Sequence, residues 1–259
     1  MNTMRWPFVI SIPHCSGAIP DEIRPTIALT ERDIEESVDI GTIDIFGDFP
    51  VMDVLIGPWS RLVVDLNRHH DQRDPTGVVA HFDYFGRAAY KENAIPDRGE
   101  VERRIGIYYK PYHDALTNAL HRPDVKILFD CHSLNGIGPA QAPDPGRRRK
   151  DIVLGNNGDH SGNPHPGLGA PTCPAELVRK IKAVFQDAGF SVSLNDPYTG
   201  GFITTYYGAI YAPAGIMAIQ IEINQDLYLD LSQIRPHPDR LKEVKEKIHR
   251  SFERIARLF

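Results

Sequence analysis

Cysteine is scarce in this 259-residue chain. The three present, Cys15, Cys131 and Cys173, cannot all pair and show no C-x-x-C spacing, so no disulfide framework is indicated. Long apolar runs are also missing. No stretch approaches the length that crosses a bilayer, and MNTMRWPFVISIP at the start is interrupted too early for a signal peptide. A cytoplasmic protein with no membrane partner is the expectation. Positive charge is not in excess: the formal net charge of -5 argues against a general nucleic-acid binder. The one basic run, Arg147 to Lys150, sits in a Pro/Gly-rich segment and reads as a solvated loop. G-x-G-x-x-G and G-x-x-x-x-G-K-[ST] loops are absent, which disfavours a nucleotide enzyme. With no internal repeat and no clear linker, residues 1–259 are expected to form a single domain.

What is present is an alternation of apolar strand-like runs and amphipathic stretches. Phe8 to Ile12 reads as a strand ended by Pro13, which leaves His14 at its lip. Residues 29 to 38 carry Thr30 as an N-cap, and a second helix is expected from Thr42 into the fifties. Leu62 to Leu66 reads as a buried strand delivering Asn67 and Arg68, followed by a long covering loop from His69 to Arg98. Residues 99 to 121 have helical periodicity despite Pro111, with His113 read as a helix-surface histidine. Strands are expected at Val125 to Phe129, Asp151 to Leu154, Phe190 to Leu194 and Met217 to Ile223. Helices are expected at Pro174 to Ala188 and Pro238 to Phe259. The pattern predicts an α/β sheet covered by helices on both faces, with parallel pairs and a mixed sheet allowed.

Several strand ends carry chemistry. Asp130 stands two residues before His132, and an Asp-x-His pair lets a carboxylate orient an imidazole that binds a metal through its other nitrogen. Glu222 lies in the apolar run MAIQIEI, facing with Gln220 and opposite Ile221 and Ile223. It is either exposed on an edge strand or buried with a raised pKa that suits a general base. We expect Asp39, Arg68, His132 and Glu222 to converge on the lip at His14. Two histidines, a further carboxylate as third ligand and a free glutamate match a catalytic zinc site, which keeps one position open for water. The rival is a serine or cysteine nucleophile. Ser16 and Ser133 lie near histidines but outside any G-x-S-x-G elbow, and Cys131 would point away from His132.

PHCSGAIP, DIGT, SRLVVDLNR, PYH, DCHS, NDPYTGG and IQIEINQDLY, in this order from about Phe8 to Tyr228, resemble the N-formylglutamate amidohydrolase family. That family is similar in fold to the zinc carboxypeptidases and the aspartoacylase group, so the resemblance implies a mixed, largely parallel sheet of the zinc carboxypeptidase-like (phosphorylase/hydrolase-like) type. By it, His14 and His132 fall on the two zinc histidines and Glu222 on the general acid/base. Asn67 and Arg68 fall on a pair that grips a substrate carboxylate. Asn195, Tyr198, Gly200 and Gly201 of NDPYTGG are further substrate contacts on this footing. The related deacylases take the third ligand from a glutamate three residues after the first histidine, where this chain has Gly17. Asp39 is the first candidate for that place and Asp44 the second. The expectation is a hydrolase with one zinc ion, or another divalent metal, acting on a small N-acyl amino acid, with N-formyl-L-glutamate as lead substrate. An amidase or peptidase for another carboxylate-bearing amide, or a binding protein that keeps the fold, are the alternatives.

Overall fold

The computed structural model describes residues 5–230 and 232–259; the first four residues of the N-terminal stretch lie outside them. Its centre is a six-stranded sheet of β1 (Trp6–Ile12), β2 (Val51–Ile56), β3 (Ile127–Leu134), β4 (Ile152–Gly155), β5 (Val192–Leu194) and β6 (Met217–Asn224). The strand order is β2-β1-β3-β6-β4-β5. The first four strands in that order run parallel, whereas β4 meets β6 antiparallel and carries β5 parallel to itself. The sheet is mixed and largely parallel, as the sequence predicts.

Helices α1 (Glu31–Glu36), α2 (Thr42–Phe46), α3 (Arg98–Arg104), α4 (Lys110–Leu120), α5 (Ala175–Asp187), α6 (Phe202–Tyr211) and α7 (Pro238–Ala256) surround it. Alternation along the strands makes two cores. Phe8, Ile10, Phe129 and Ile219 pack on one face with residues of α2, α5 and α7. Val9, Leu128 and Ala218 pack on the other with residues of α4 and α6. Local signals explain the helix starts: Thr30 forms a reciprocal capping box with Asp33 at the head of α1. Along α7, Val244, Ile248, Phe252 and Ile255 form one buried stripe. No helix among the described residues is long and apolar enough to cross a membrane.

The structure departs from the sequence reading in several places. The helix from Thr42 stops at Phe46, and the residues expected to prolong it form the edge strand β2. Leu62 to Leu66 is buried but is not a strand. Its backbone is satisfied by distant side chains instead: Tyr90 Oη donates to Leu62 O at 2.6 Å, Arg104 Nη1 to Val63 O at 3.3 Å, and His113 Nε2 lies 3.0 Å from Leu66 O. His113 is therefore buried, not on a helix surface, and burial lowers its pKa to about 4. The helix of residues 99 to 121 is divided, with a π turn at Ile105–Tyr109 that accommodates Pro111 at the start of α4. Strand β3 runs on to Leu134, so Asp130 and His132 lie inside it. Helix α6 is not among the elements that periodicity marks.

Candidate active site

Parallel pairing aligns side chains of equal register on the same face. His132 of β3 pairs with Glu222 of β6, and one step earlier Asp130 pairs with both Gln220 and Ser11 of β1. His14 follows β1 by two residues, and its carbonyl accepts a hydrogen bond from the Asp39 amide at 2.9 Å, which brings the loop after α1 over the strand ends. A cavity of about 280 Å³ opens there, with His14, Asp39, Arg68, His132 and Glu222 in its wall. The convergence expected from the sequence is the arrangement found.

His14, Asp39 and His132 form a buried group whose potential ligand atoms lie within 4.8 Å of one another. Asp39 Oδ2 stands 3.0 Å from His132 Nδ1 and 3.7 Å from His14 Nδ1. The far nitrogens are held by carboxylates. His14 Nε2 lies 2.8 Å from Asp65 Oδ1, and His132 Nε2 lies 3.1 Å from Asp130 Oδ1. The carboxylate on His14 Nε2 fixes the tautomer that leaves its Nδ1 lone pair free for a cation, while His132 Nε2 also lies 3.1 Å from the Asn67 amide Nδ2. Among the described residues, His14 Nδ1 is the single buried side-chain nitrogen or oxygen without a hydrogen-bond partner. An orphan of this kind is costly unless something occupies the space, and a divalent cation among two imidazoles and a carboxylate fits it. Asp44, the second candidate for the third ligand, is exposed and outside the cavity wall.

The charges are sharply tuned. Burial works against ionised Asp39, yet its hydrogen bond with His132 and the nearby His14 imidazole hold its carboxyl well below the usual range. Burial likewise opposes charge on His132, but Asp130 and Asp39 lift its pKa well above the ordinary histidine value. Burial pushes Glu222 up to about 8, with Asp39 and Asp130 adding to the rise and His132 opposing it. Gln220 Nε2 donates to Glu222 Oε1 at 2.8 Å, and Gln220 Oε1 accepts from Gly201 N at 2.5 Å, so the loop of residues 195–201 is tied to the glutamate.

The other expected site residues divide. Tyr198, Gly200 and Gly201 line the cavity. Asn67 lines it too, but its amide is engaged within the protein: Nδ2 donates to Asp130 at 3.3 Å and Oδ1 accepts from Ile203 N at 2.8 Å, at the head of α6. A Cβ on Gly201 would lie 2.3 Å from Asn67 Nδ2, so that close approach requires glycine. Asn195 lies outside the cavity wall and is bonded to Asn156 and to the Asp159 carbonyl. Arg68 is in the wall, and among the described residues its side chain makes only long hydrogen bonds to carbonyls, those of Thr76 at 3.3 Å and Asn67 at 3.4 Å.

Three residues here escaped the sequence reading. Asp65 holds His14 and pairs with Arg61 at 2.8 Å. Its position in the apolar run LVVDLN was the available signal, since a buried carboxylate demands partners. Tyr84, on the long loop, meets Tyr198 through their hydroxyls. Arg149, from the basic run expected to be solvated, turns inward with its side chain 1% exposed, pairs with Asp144 and lines the cavity.

A family model described as N-formylglutamate amidohydrolase matches residues 6–229. The N-formylglutamate deformylase of Pseudomonas putida is 27% identical over 238 residues, covering 87% of this chain and 83% of the relative. That of Pseudomonas aeruginosa is 29% identical over 244 residues with the same shares. Among solved structures, the N-formylglutamate amidohydrolase of Ralstonia eutropha has a TM-score of 0.74 at 24% identity, covering 99% of this chain and 95% of that one. A protein of Agrobacterium tumefaciens has a TM-score of 0.69 at 18% identity, covering 96% and 90%. At those identities, the two structures speak for the fold.

Proposed function

The chain belongs to the N-formylglutamate amidohydrolase family, and from that membership we propose that it hydrolyses the amide bond of a small N-acyl amino acid. The lead reaction converts N-formyl-L-glutamate to L-glutamate and formate. The observation that carries this reading is the unpartnered Nδ1 of His14, buried beside Asp39 and His132 with Glu222 in register across the sheet. His14, Asp39 and His132 would hold a divalent metal, zinc by the chemistry of the donor set, and when bound it supplies a Lewis acid for the acyl oxygen and a lowered pKa for water.

The rest is done by the chain's own residues. Glu222 takes a proton from the attacking water as its oxygen bonds to the acyl carbon, then delivers a proton to the nitrogen as the carbon–nitrogen bond breaks. Its raised pKa places it near neutrality, where one group can both accept and donate. Asp65 and Asp130 orient the imidazoles, and Asn67 braces Asp130. Arg68 grips a carboxylate of the amino acid through two parallel hydrogen bonds. Tyr198, Gly200 and Gly201 shape the wall on which the substrate rests.

The test joins two measurements on the purified protein. Bound divalent metal and formate release from N-formyl-L-glutamate are expected together, and His14→Ala should lose the metal. Full metal occupancy in that variant removes His14 from the site, and absence of formate release removes the lead substrate.

A further inference from the structure

A second cavity, about 390 Å³, adjoins the first, and Ser37, Arg61, Arg68 and Tyr84 line both. Two guanidinium groups therefore stand at the junction. Among the described residues, the Arg68 side chain bonds only to the carbonyls of Thr76 and Asn67. Arg61 makes a single side-chain hydrogen bond among the described residues, from Nη2 to Asp65 Oδ2 at 2.8 Å. Asp65 thus fixes the group, while Nε, Nη1 and the second N–H of Nη2 have no protein acceptor among the described residues. A guanidinium has five N–H donors in a planar fork, so one carboxylate does not saturate it. The third guanidinium of the catalytic cavity, Arg149, is different. It donates twice to Asp144, once to Tyr198 Oη at 3.0 Å and once to the Asn135 carbonyl at 3.3 Å, which leaves it a wall element.

We propose that Arg61 is the specificity-determining residue for a second carboxylate, so that the site selects dicarboxylic N-acyl amino acids. With the amide at Glu222 and the α-carboxylate on Arg68, the side-chain carboxylate is taken by the open donors of Arg61, where the two cavities meet. One planar fork matches one carboxylate bidentately, so a dianion needs two. This rests on the reading that N-formylglutamate is the substrate and adds which residue makes glutamate preferred over its neutral analogues.

The experiment compares kcat/KM for N-formyl-L-glutamate and N-formyl-L-glutamine in the wild type, Arg61→Gln and Arg61→Lys, with metal content measured alongside. The two substrates share shape and α-carboxylate and differ in the side-chain charge. The wild type should prefer glutamate, and Arg61→Gln should lower that preference by about 10- to 100-fold, mainly through KM. Arg61→Lys should fall between them, and it decides by the same ratio if the Gln variant does not fold. An equal loss for both substrates means that Arg61 only braces Asp65, which overturns the proposal. A wild type that hydrolyses both alike overturns it too, yet leaves the amidohydrolase reading intact. A wild type that releases no formate from either overturns that reading itself.

Discussion

Toward α2, α5 and α7, strands β1, β3 and β6 present Phe8, Ile10 and Ile12, then Ile127, Phe129 and Cys131, then Ile219, Ile221 and Ile223. Toward α4 and α6 the same strands begin with Val9, Leu128 and Ala218 but continue with Ser11, Asp130, His132, Gln220 and Glu222. Both faces are buried. Polarity on the second face therefore cannot be solvent-facing alternation, as in a half-exposed sheet. Buried parallel strands normally read as near-continuous apolar runs, and carboxylates and imidazoles persist in them only when partnered or used. The contrast separates a face that holds the protein together from one that carries the candidate site.

Substitutions on the two faces should therefore fail differently. The largest effect is expected from Glu222→Gln, which preserves shape but abolishes proton transfer: turnover should fall by about a hundred- to ten-thousand-fold with metal content unchanged. A rate near wild type would end its role as acid/base. The same variant carries a pH signature in the metal-free protein. A carboxyl whose folded pKa is raised to about 8 contributes stability that is complete below its ordinary value of 4.5 and lost as pH rises through 8. Denaturant titrations should thus show the wild type losing stability relative to Glu222→Gln across that window.

On the apolar face, Phe252 is fully buried against Phe8, Phe46, Phe49 and Phe129. Phe252→Ala should cost about 3–5 kcal/mol of folding stability, and the molecules that remain folded should keep kcat. A selective loss of kcat there would break the division between the faces. Smaller again is the effect of Asp130→Asn, which keeps a polar group against His132 but removes the charge. Metal affinity should weaken by about 10- to 100-fold, read from competition with a chelator. Unchanged affinity would make Asp130 a structural residue only.

How much of this was legible depends on where each backbone and side chain finds its partner. Strands β1, β3 and β6 were readable because period-two patterning is local, and the same patterning placed Glu222 with Gln220 and turned Cys131 away. The run Leu62 to Leu66 has equally good strand composition, but Tyr90, Arg104 and His113 satisfy its carbonyls from far along the chain. β2 was missed although Gly47, Asp48 and Pro50 punctuate the chain between Phe46 and Val51: Gly47 caps the short helix and the strand begins just after Pro50. Arg149 could not be distinguished from Arg147 and Arg148 by composition. What turns it inward is Asp144 and the approach of Tyr198, 49 residues away. The candidate metal-binding group was partly visible: each histidine comes soon after an apolar run, whereas the placement of Asp39, and not Asp44, beside them required the loop after α1 to fold back onto His14.

The smallest predicted effect concerns Arg68, the residue proposed to meet the substrate's carboxylate. The run before it is not a strand, so its rigidity has another source. Asn67 is fixed by Asp130 and Ile203, and the Arg68 carbonyl accepts a hydrogen bond from Tyr109 Oη at 2.9 Å. Asp65, three residues before it, is occupied by His14 and Arg61. The guanidinium is thus held by backbone anchors and has no carboxylate partner among the described residues, the state expected of a group awaiting an anion. Arg68→Lys keeps the charge and loses the fork, so kcat/KM for N-formyl-L-glutamate should fall by about tenfold, while metal content and thermal stability stay near wild type. Because the interaction is with a carboxylate, an uncharged formyl amide should be hydrolysed by the variant and the wild type alike. Equal losses for both substrates would place Arg68 among the residues that shape the cavity and leave the substrate's carboxylate without its grip.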